Sequence, residues 1–188
     1  MSTPFRKDDL VLFIGDSITD CQRDKAIPET LGMGYVSMVA GRLGMEHPEL
    51  DLRFLNRGVN GDRTRDLLAR WDQDCIDLRP DWVSILVGVN NTWRRYDADA
   101  PTPDETFAAE YRALLQRTKD ETPARIVLCS PFLLHVDDAV AAMREDLDHK
   151  IGIVRKLADE FDATWVDFDA AFVSAEQRHI PAYWAPDG

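Results

Sequence analysis

Residues 10–17 read LVLFIGDS: five apolar side chains in a row, then a glycine, an aspartate and a serine. An apolar run this short, closed by a turn signal, is the pattern of a strand buried on both faces. Two more such runs follow, WVSILV at 82–87 and RIVLC at 125–129, with weaker β-like stretches at 51–55 and 164–168. Between them lie segments with helical apolar spacing: 35–43, 63–78 (Leu67, Leu68, Trp71, Cys75 and Ile76 along one face), 103–119, 137–161 with a break expected near Gly152, and 170–177. Strands that alternate with helices, and are themselves continuously apolar, predict a parallel sheet covered on both sides. The expected fold is therefore α/β, a three-layer α/β/α sandwich with a central parallel sheet. No repeat, low-complexity tract or linker interrupts it, so residues 1–188 read as a single domain.

Composition narrows the partners. The 188 residues carry 22 basic against 34 acidic side chains, a net charge of -12. Nucleic acid and an anionic membrane surface both call for a basic face, and neither is expected as a partner. The polar start, Met1 to Leu10, has no apolar core of signal-peptide length, and no stretch is apolar for long enough to span a bilayer. The three cysteines, Cys21, Cys75 and Cys129, are widely spaced and form no CxxC pair; they read as reduced thiols in a cytoplasmic protein. No histidine has a second ligand at metal-binding spacing, so neither a metal nor another cofactor is expected.

In a parallel sheet, reactive groups belong at the C-terminal ends of the strands. Three polar clusters stand there: Gly15-Asp16-Ser17-Ile18-Thr19, Asn56-Arg57-Gly58-Val59-Asn60-Gly61-Asp62, and Gly88-Val89-Asn90-Asn91. A serine that leaves a buried strand through a glycine turn and enters a helix has an exposed hydroxyl and backbone N–H groups around it, as an acyl-transfer nucleophile requires. Gly61 can bring another N–H close because no side chain obstructs it. Asn90 supplies a neutral amide donor. Taken singly, these are ordinary turn residues; their order along the chain gives them weight.

GDSIT, NxGxxG and GxN in this order resemble blocks I, II and III of the SGNH (GDSL-type) hydrolases, and Trp184-Ala-Pro-Asp187-Gly188 resembles the start of their block V, D-x-x-H. The stretches DCQR, GYV, NRGVNGDRTRDLLARW, RPDWVSILVGVNNTWR and SPFLL look most like the bacterial branch of acetylxylan esterases and carbohydrate deacetylases. The resemblance implies a flavodoxin-like SGNH fold and a catalytic Ser17 that also gives its N–H to the oxyanion hole. It implies Gly61 N–H and the Asn90 side chain as the other oxyanion donors, and Asp187 as the acid that orients a catalytic histidine. That histidine would fall three positions after Asp187, past Gly188, with a closing helix after it; the domain is expected to lack its C-terminal end here and to be inactive without it.

One departure stands out. The family's usual GxND is Gly88-Val89-Asn90-Asn91 here, an amide where the family has an acid that ties the loop together. Of the four histidines, His47, His149 and His179 read as surface residues, and His135, just after SPFLL, is the one placed to reach the cleft. Trp93 and Arg94 on one side and Trp184 on the other are expected to bind substrate, since aromatic rings stack on sugar faces and arginine suits hydroxyl or carboxylate contacts. The expected activity is hydrolysis of short-chain esters, acetyl above all, on carbohydrate or another small molecule. The alternatives are a lysophospholipase or thioesterase with a long acyl channel, a non-catalytic binding protein on the same scaffold, and a flavodoxin-like phosphate binder, which the Gly61 and Asn90 clusters disfavour. A loss of the closing helix would expose apolar surface and favour a homo-oligomer.

Overall fold

Five strands form one all-parallel sheet: β1 (Leu10–Gly15), β2 (Arg53–Gly58), β3 (Trp82–Leu86), β4 (Arg125–Cys129) and β5 (Thr164–Val166), in the spatial order β2-β1-β3-β4-β5. The coordinates are those of a computed structural model, which describes residues 3–185 and 188. Every residue of β1 and β3 is buried, because these strands have neighbours on both edges and helices on both faces. Their uninterrupted apolar sequence is the direct consequence.

Nine helices complete the described chain: α1 (Ser17–Asp20), α2 (Tyr35–Glu46), α3 (Thr64–Trp71), α4 (Val89–Asp97), α5 (Asp104–Glu121), α6 (Asp138–Ala142), α7 (Arg144–Glu160), α8 (Phe168–Glu176) and α9 (Pro181–Trp184). On one face of the sheet Leu12, Ile14, Val83, Ile85, Ile126 and Leu128 pack against Leu67 and Trp71 of α3, Phe107 and Tyr111 of α5, and Val154 and Leu157 of α7. On the other face, Val11, Phe13 and Trp82 pack against Val36 and Tyr35 of α2, while Phe132, Phe168 and Phe172 close its β4–β5 end. The period-2 alternation of strand side chains thus feeds two cores, and the three-layer α/β/α sandwich is the observed architecture. Among the described residues no helix is long and apolar enough to cross a membrane.

The sequence reading needs four corrections. β2 begins at Arg53 rather than at residue 51 and runs on through Asn56 and Gly58, which pair with Phe13 and Gly15 of β1. The helix expected over 63–78 ends at Trp71 and continues as a wide π turn, Asp72–Ile76. The segment 137–161 divides at Met143, between α6 and α7, and not at Gly152; Gly152 lies inside α7 with open space around it, so nothing there disrupts the helix. Finally, α4 and α9 are helices that the sequence reading does not place. Val89, Asn90, Asn91 and Thr92 of α4 are buried, and three of these four are polar. Val89 and Trp93 pack against Leu133, Met143 and Leu147, and hydrogen bonds hold the buried polar residues between them.

Candidate active site

With the order β2-β1-β3-β4-β5, the chain leaves β1 for β2 on one side and returns to β3 on the other. The crevice of such a sheet opens at the C-terminal ends of β1 and β3, where the connections part. Ser17 follows β1 and Asn90 follows β3, so topology alone brings them to one place.

The turn that presents Ser17 is set by close packing. A side chain on Gly15 would place its Cβ 2.1 Å from the Leu86 carbonyl oxygen, and one on Gly58 would lie 2.2 Å from the Asp20 nitrogen. Only glycine lets β1, β2 and α1 approach this closely. Asp16 is the N-cap of α1, its Oδ1 accepting from the Ile18 N–H at 3.0 Å. Asn56 braces the turn from β2: its Nδ2 donates to the carbonyls of Thr19 (2.6 Å) and Leu31 (2.8 Å), and its Oδ1 accepts from Gly58 N–H at 2.8 Å. Ser17, the first residue of α1, is left half-buried. Asp16 itself is wholly buried, and among the described residues its Oδ2 has no hydrogen-bond partner. Burial pushes its carboxyl up to about 7, and the neighbouring Asp62 adds to the rise.

Gly61 takes φ +85°, a left-handed conformation that favours glycine, and so turns the chain after β2. The next residue, Asp62, offers its carbonyl to Asn90 Nδ2 at 3.1 Å. An amide nitrogen carries two hydrogens, so Asn90 keeps one free after this bond. Asn91, beside it, is 1% exposed and fully engaged. Its Oδ1 accepts from Thr64 N–H (3.3 Å), and its Nδ2 donates to the hydroxyls of Thr64 (3.0 Å) and Thr102 (3.3 Å). The Thr64 hydroxyl in turn donates to Glu110. With that proton committed, the group at position 91 has to be a donor, which an amide is and an ionised acid is not. Asn91 thus does the tying expected of the family's acid, with an amide suited to this neighbourhood. Behind α4, Thr92 donates to Asp146 (2.7 Å), which also accepts from the buried Lys150. Burial alone would raise the Asp146 carboxyl, but Lys150 and Thr92 hold it below its ordinary value.

Ser17, Asn90, Trp93 and Arg94 line one cavity of ≈ 300 Å³, with Ile18, Val89, Phe132 and Leu133 as its apolar wall. Larger hollows of ≈ 490 Å³ beside His149 and ≈ 630 Å³ beside Trp82 contain no part of this group. Gly61 does not line the cavity but is tied to it through Asp62 and Asn90. Trp184, expected on the opposite wall, is 37% exposed on α9 and packs edge-on to Tyr183 at 4.9 Å instead. Asp187 lies outside the described residues. His135 does not line the cavity: it is exposed, with Nε2 3.6 Å from Asp138. His47 pairs with Glu49, His149 with Asp104, and His179 lies against Tyr183. Phe132 and Leu133 are wall residues that motif reading passes over; their signal is the SPFLL stretch just past the C-terminal end of β4.

Comparison with known proteins now decides the family. Residues 13–188 match the GDSL-like lipase/acylhydrolase family. This chain belongs to that family. An acetylxylan esterase of Geobacillus stearothermophilus is 39% identical over 184 residues, covering 94% of this chain and 84% of that protein. The crystal structure of the Geobacillus acetylxylan esterase Axe2 superposes with a TM-score of 0.88 at 36% identity, over 96% of this chain and 85% of that one. A structure described as a GDSL-like lipase of Parabacteroides merdae gives a TM-score of 0.94 at 36% identity, over 98% and 88% of the two chains. Three variants of Axe2 described as catalytic mutants replace a serine, an aspartate and a histidine by alanine, the last two three positions apart. Membership of the GDSL family, with esterases as its relatives over most of its length, makes the chain a carboxylic ester hydrolase by class.

Proposed function

We propose that this GDSL-family chain is a serine esterase that removes short acyl groups, acetyl above all, from carbohydrate through an acyl-enzyme on Ser17. The observation that carries the reading is the meeting of Ser17 and Asn90 in one cavity of ≈ 300 Å³ at the C-terminal ends of β1 and β3. The Ser17 oxygen attacks the ester carbonyl and gives its proton to a base. The carbonyl oxygen becomes an oxyanion, which the N–H groups of Ser17 and Gly61 and the free N–H of Asn90 receive. Collapse expels the sugar oxygen, which takes up the proton; water then attacks the acetyl-Ser17 ester by the same route and releases acetate. The reading assigns the base to a histidine three positions after Asp187, held by that carboxylate. The spacing of the aspartate and histidine variants in the relative supports this assignment. Apart from that histidine, each step uses side chains and backbone of this chain and calls for no cofactor.

Arg94 suits the hydroxyls of a sugar and the face of Trp93 its ring, while Ile18, Val89 and Leu133 suit a methyl group. The Geobacillus relative's activity on acetylated xylan supports the same class of substrate. Esters of p-nitrophenol that differ only in acyl length test this. Turnover by the full-length protein should fall steeply from acetyl to octanoyl. A rate that climbs with chain length would instead favour a lysophospholipase or thioesterase.

A further inference from the structure

We propose that Arg70 is a positioning residue for the oxyanion donors, its guanidinium joining the nucleophile turn, the glycine turn and, through Asp62, the Asn90 amide into one unit. This rests on the esterase reading above. Arg70 sits in the last turn of α3 with its side chain 18% exposed. Its Nη2 donates to the Gly15 carbonyl (3.2 Å), two residues before Ser17. Its Nη1 donates to the Arg57 carbonyl at the end of β2 (2.8 Å) and to Asp74 (2.8 Å). Its Nε donates to the Asp62 carboxylate at 2.7 Å. Asp62 follows Gly61, and its own carbonyl holds Asn90 Nδ2 at 3.1 Å.

A cap for two strand ends would need only the carbonyl bonds, and water could make them. The bond to Asp62 is different. Burial raises the Asp62 carboxyl above its ordinary range, and the Arg70 hydrogen bond and charge act against that rise, so the guanidinium is the chief group stabilising this carboxylate where it stands. If that contact is lost, only the Asp62 N–H bond to the Val59 carbonyl (3.2 Å) still fixes this residue, and the Asn90 amide has a less firmly held partner. Only the planar fork of arginine can serve Gly15, Arg57, Asp62 and Asp74 together; the point charge of lysine cannot reach all of them. Other bonds already join the first two segments, Val59 N–H to Gly15 O at 3.0 Å and Asn60 N–H to Asp20 Oδ2 at 3.3 Å. The burden specific to Arg70 is therefore the Asp62–Asn90 end.

Steady-state hydrolysis of p-nitrophenyl acetate by the full-length protein tests this with Arg70→Met, Arg70→Lys, Asn90→Ala and the double variant Arg70→Met/Asn90→Ala. Misplacement of transition-state donors should lower kcat for Arg70→Met by on the order of 10–100-fold with KM nearly unchanged. Arg70→Lys should recover only part of the loss. In the Asn90→Ala background, Arg70→Met should cost no more than about threefold further, because the donor it positions is already gone. Should Arg70→Met fail to fold, Arg70→Lys and Asp62→Asn carry the same test, each showing a loss confined to kcat. An unchanged kcat, a loss confined to KM, or full additivity with Asn90→Ala would overturn the assignment. Turnover that survives Ser17→Ala would remove the esterase reading itself and this inference with it. Turnover that depends on Ser17 and ignores Arg70 would remove only the positioning role.

Discussion

The turn that carries Ser17 and the helix that carries Asn90 lie at the same end of the same sheet, yet they are built with different emphasis. The serine turn is held by shape. β1 is continuously apolar, and Gly15 and Gly58 allow backbones to approach where any Cβ would collide. The asparagine helix packs Val89 and Trp93 against Leu133, Met143 and Leu147, and ties its buried polar residues with donors and acceptors. Asn91 bonds Thr64 and Thr102, and Thr92 and Lys150 bond Asp146, all with little exposure to water. One region should fail when volume is added, the other when a single proton is placed on the wrong atom.

The largest effect is expected from the first kind of change. In Gly58→Ala the new methyl would lie 2.2 Å from the Asp20 nitrogen and 2.6 Å from the Thr19 carbonyl carbon, both backbone atoms that cannot swing away. A loss of ~3 kcal/mol or more is expected, at the upper end for overpacking. Circular dichroism should show a large drop in Tm or no cooperative transition, and a Tm close to that of the parent would show that shape is not what holds the turn.

The second kind is tested at Asn91. Asn91→Asp restores the family's usual acid but faces a Thr64 hydroxyl whose proton already goes to Glu110. The unmade bond should cost about 1–3 kcal/mol in thermal or urea unfolding. Adding Glu110→Gln, which can donate to Thr64 and free that proton for the new carboxylate, should return much of it. A silent Asn91→Asp, or a double variant no better than the single, would mean that proton placement does not govern α4.

Asp16 gives the most conditional effect, because it belongs to both descriptions: an N-cap in a tightly packed turn with one oxygen unpartnered among the described residues. Its folded carboxyl is raised from 3.8 to about 7. Between those values the folded state binds the proton more readily than the unfolded chain, so ionisation lowers stability as pH rises through that window. Asparagine also caps helices well. Asp16→Asn should therefore gain Tm relative to the parent above that window and lose most of that gain at its acid end. A difference independent of pH would mean that the carboxyl does not titrate there.

The same contrast explains how far the sequence can be read. β1, β3 and β4 are visible in it because burial on both faces forces apolar runs, and Gly-Asp-Ser marks the turn at once. The helix of Asn90 is harder to see, because its apolar side is only Val89, Trp93 and Tyr96, set among Asn90, Asn91, Arg94 and Arg95. The break at Met143 is hidden behind the more conspicuous Gly152, since glycine is a breaker only where its surroundings make use of it. Arg70 gives no local signal at all: the carbonyls it binds lie 13 and 55 positions away in the chain, and only the folded sheet brings them together. Trp184 reads as a cleft residue from its nearness to Asp187, but α9 holds it against Tyr183 instead.

The central claim is that Ser17 is acylated. The full-length protein should be treated with a fluorophosphonate that mimics the tetrahedral intermediate, digested and read by peptide mass spectrometry. One adduct is predicted, on the peptide containing Ser17, with ester hydrolysis falling in proportion to labelling and both absent in Ser17→Ala. Labelling of a different residue, or full hydrolysis by Ser17→Ala, would contradict the account.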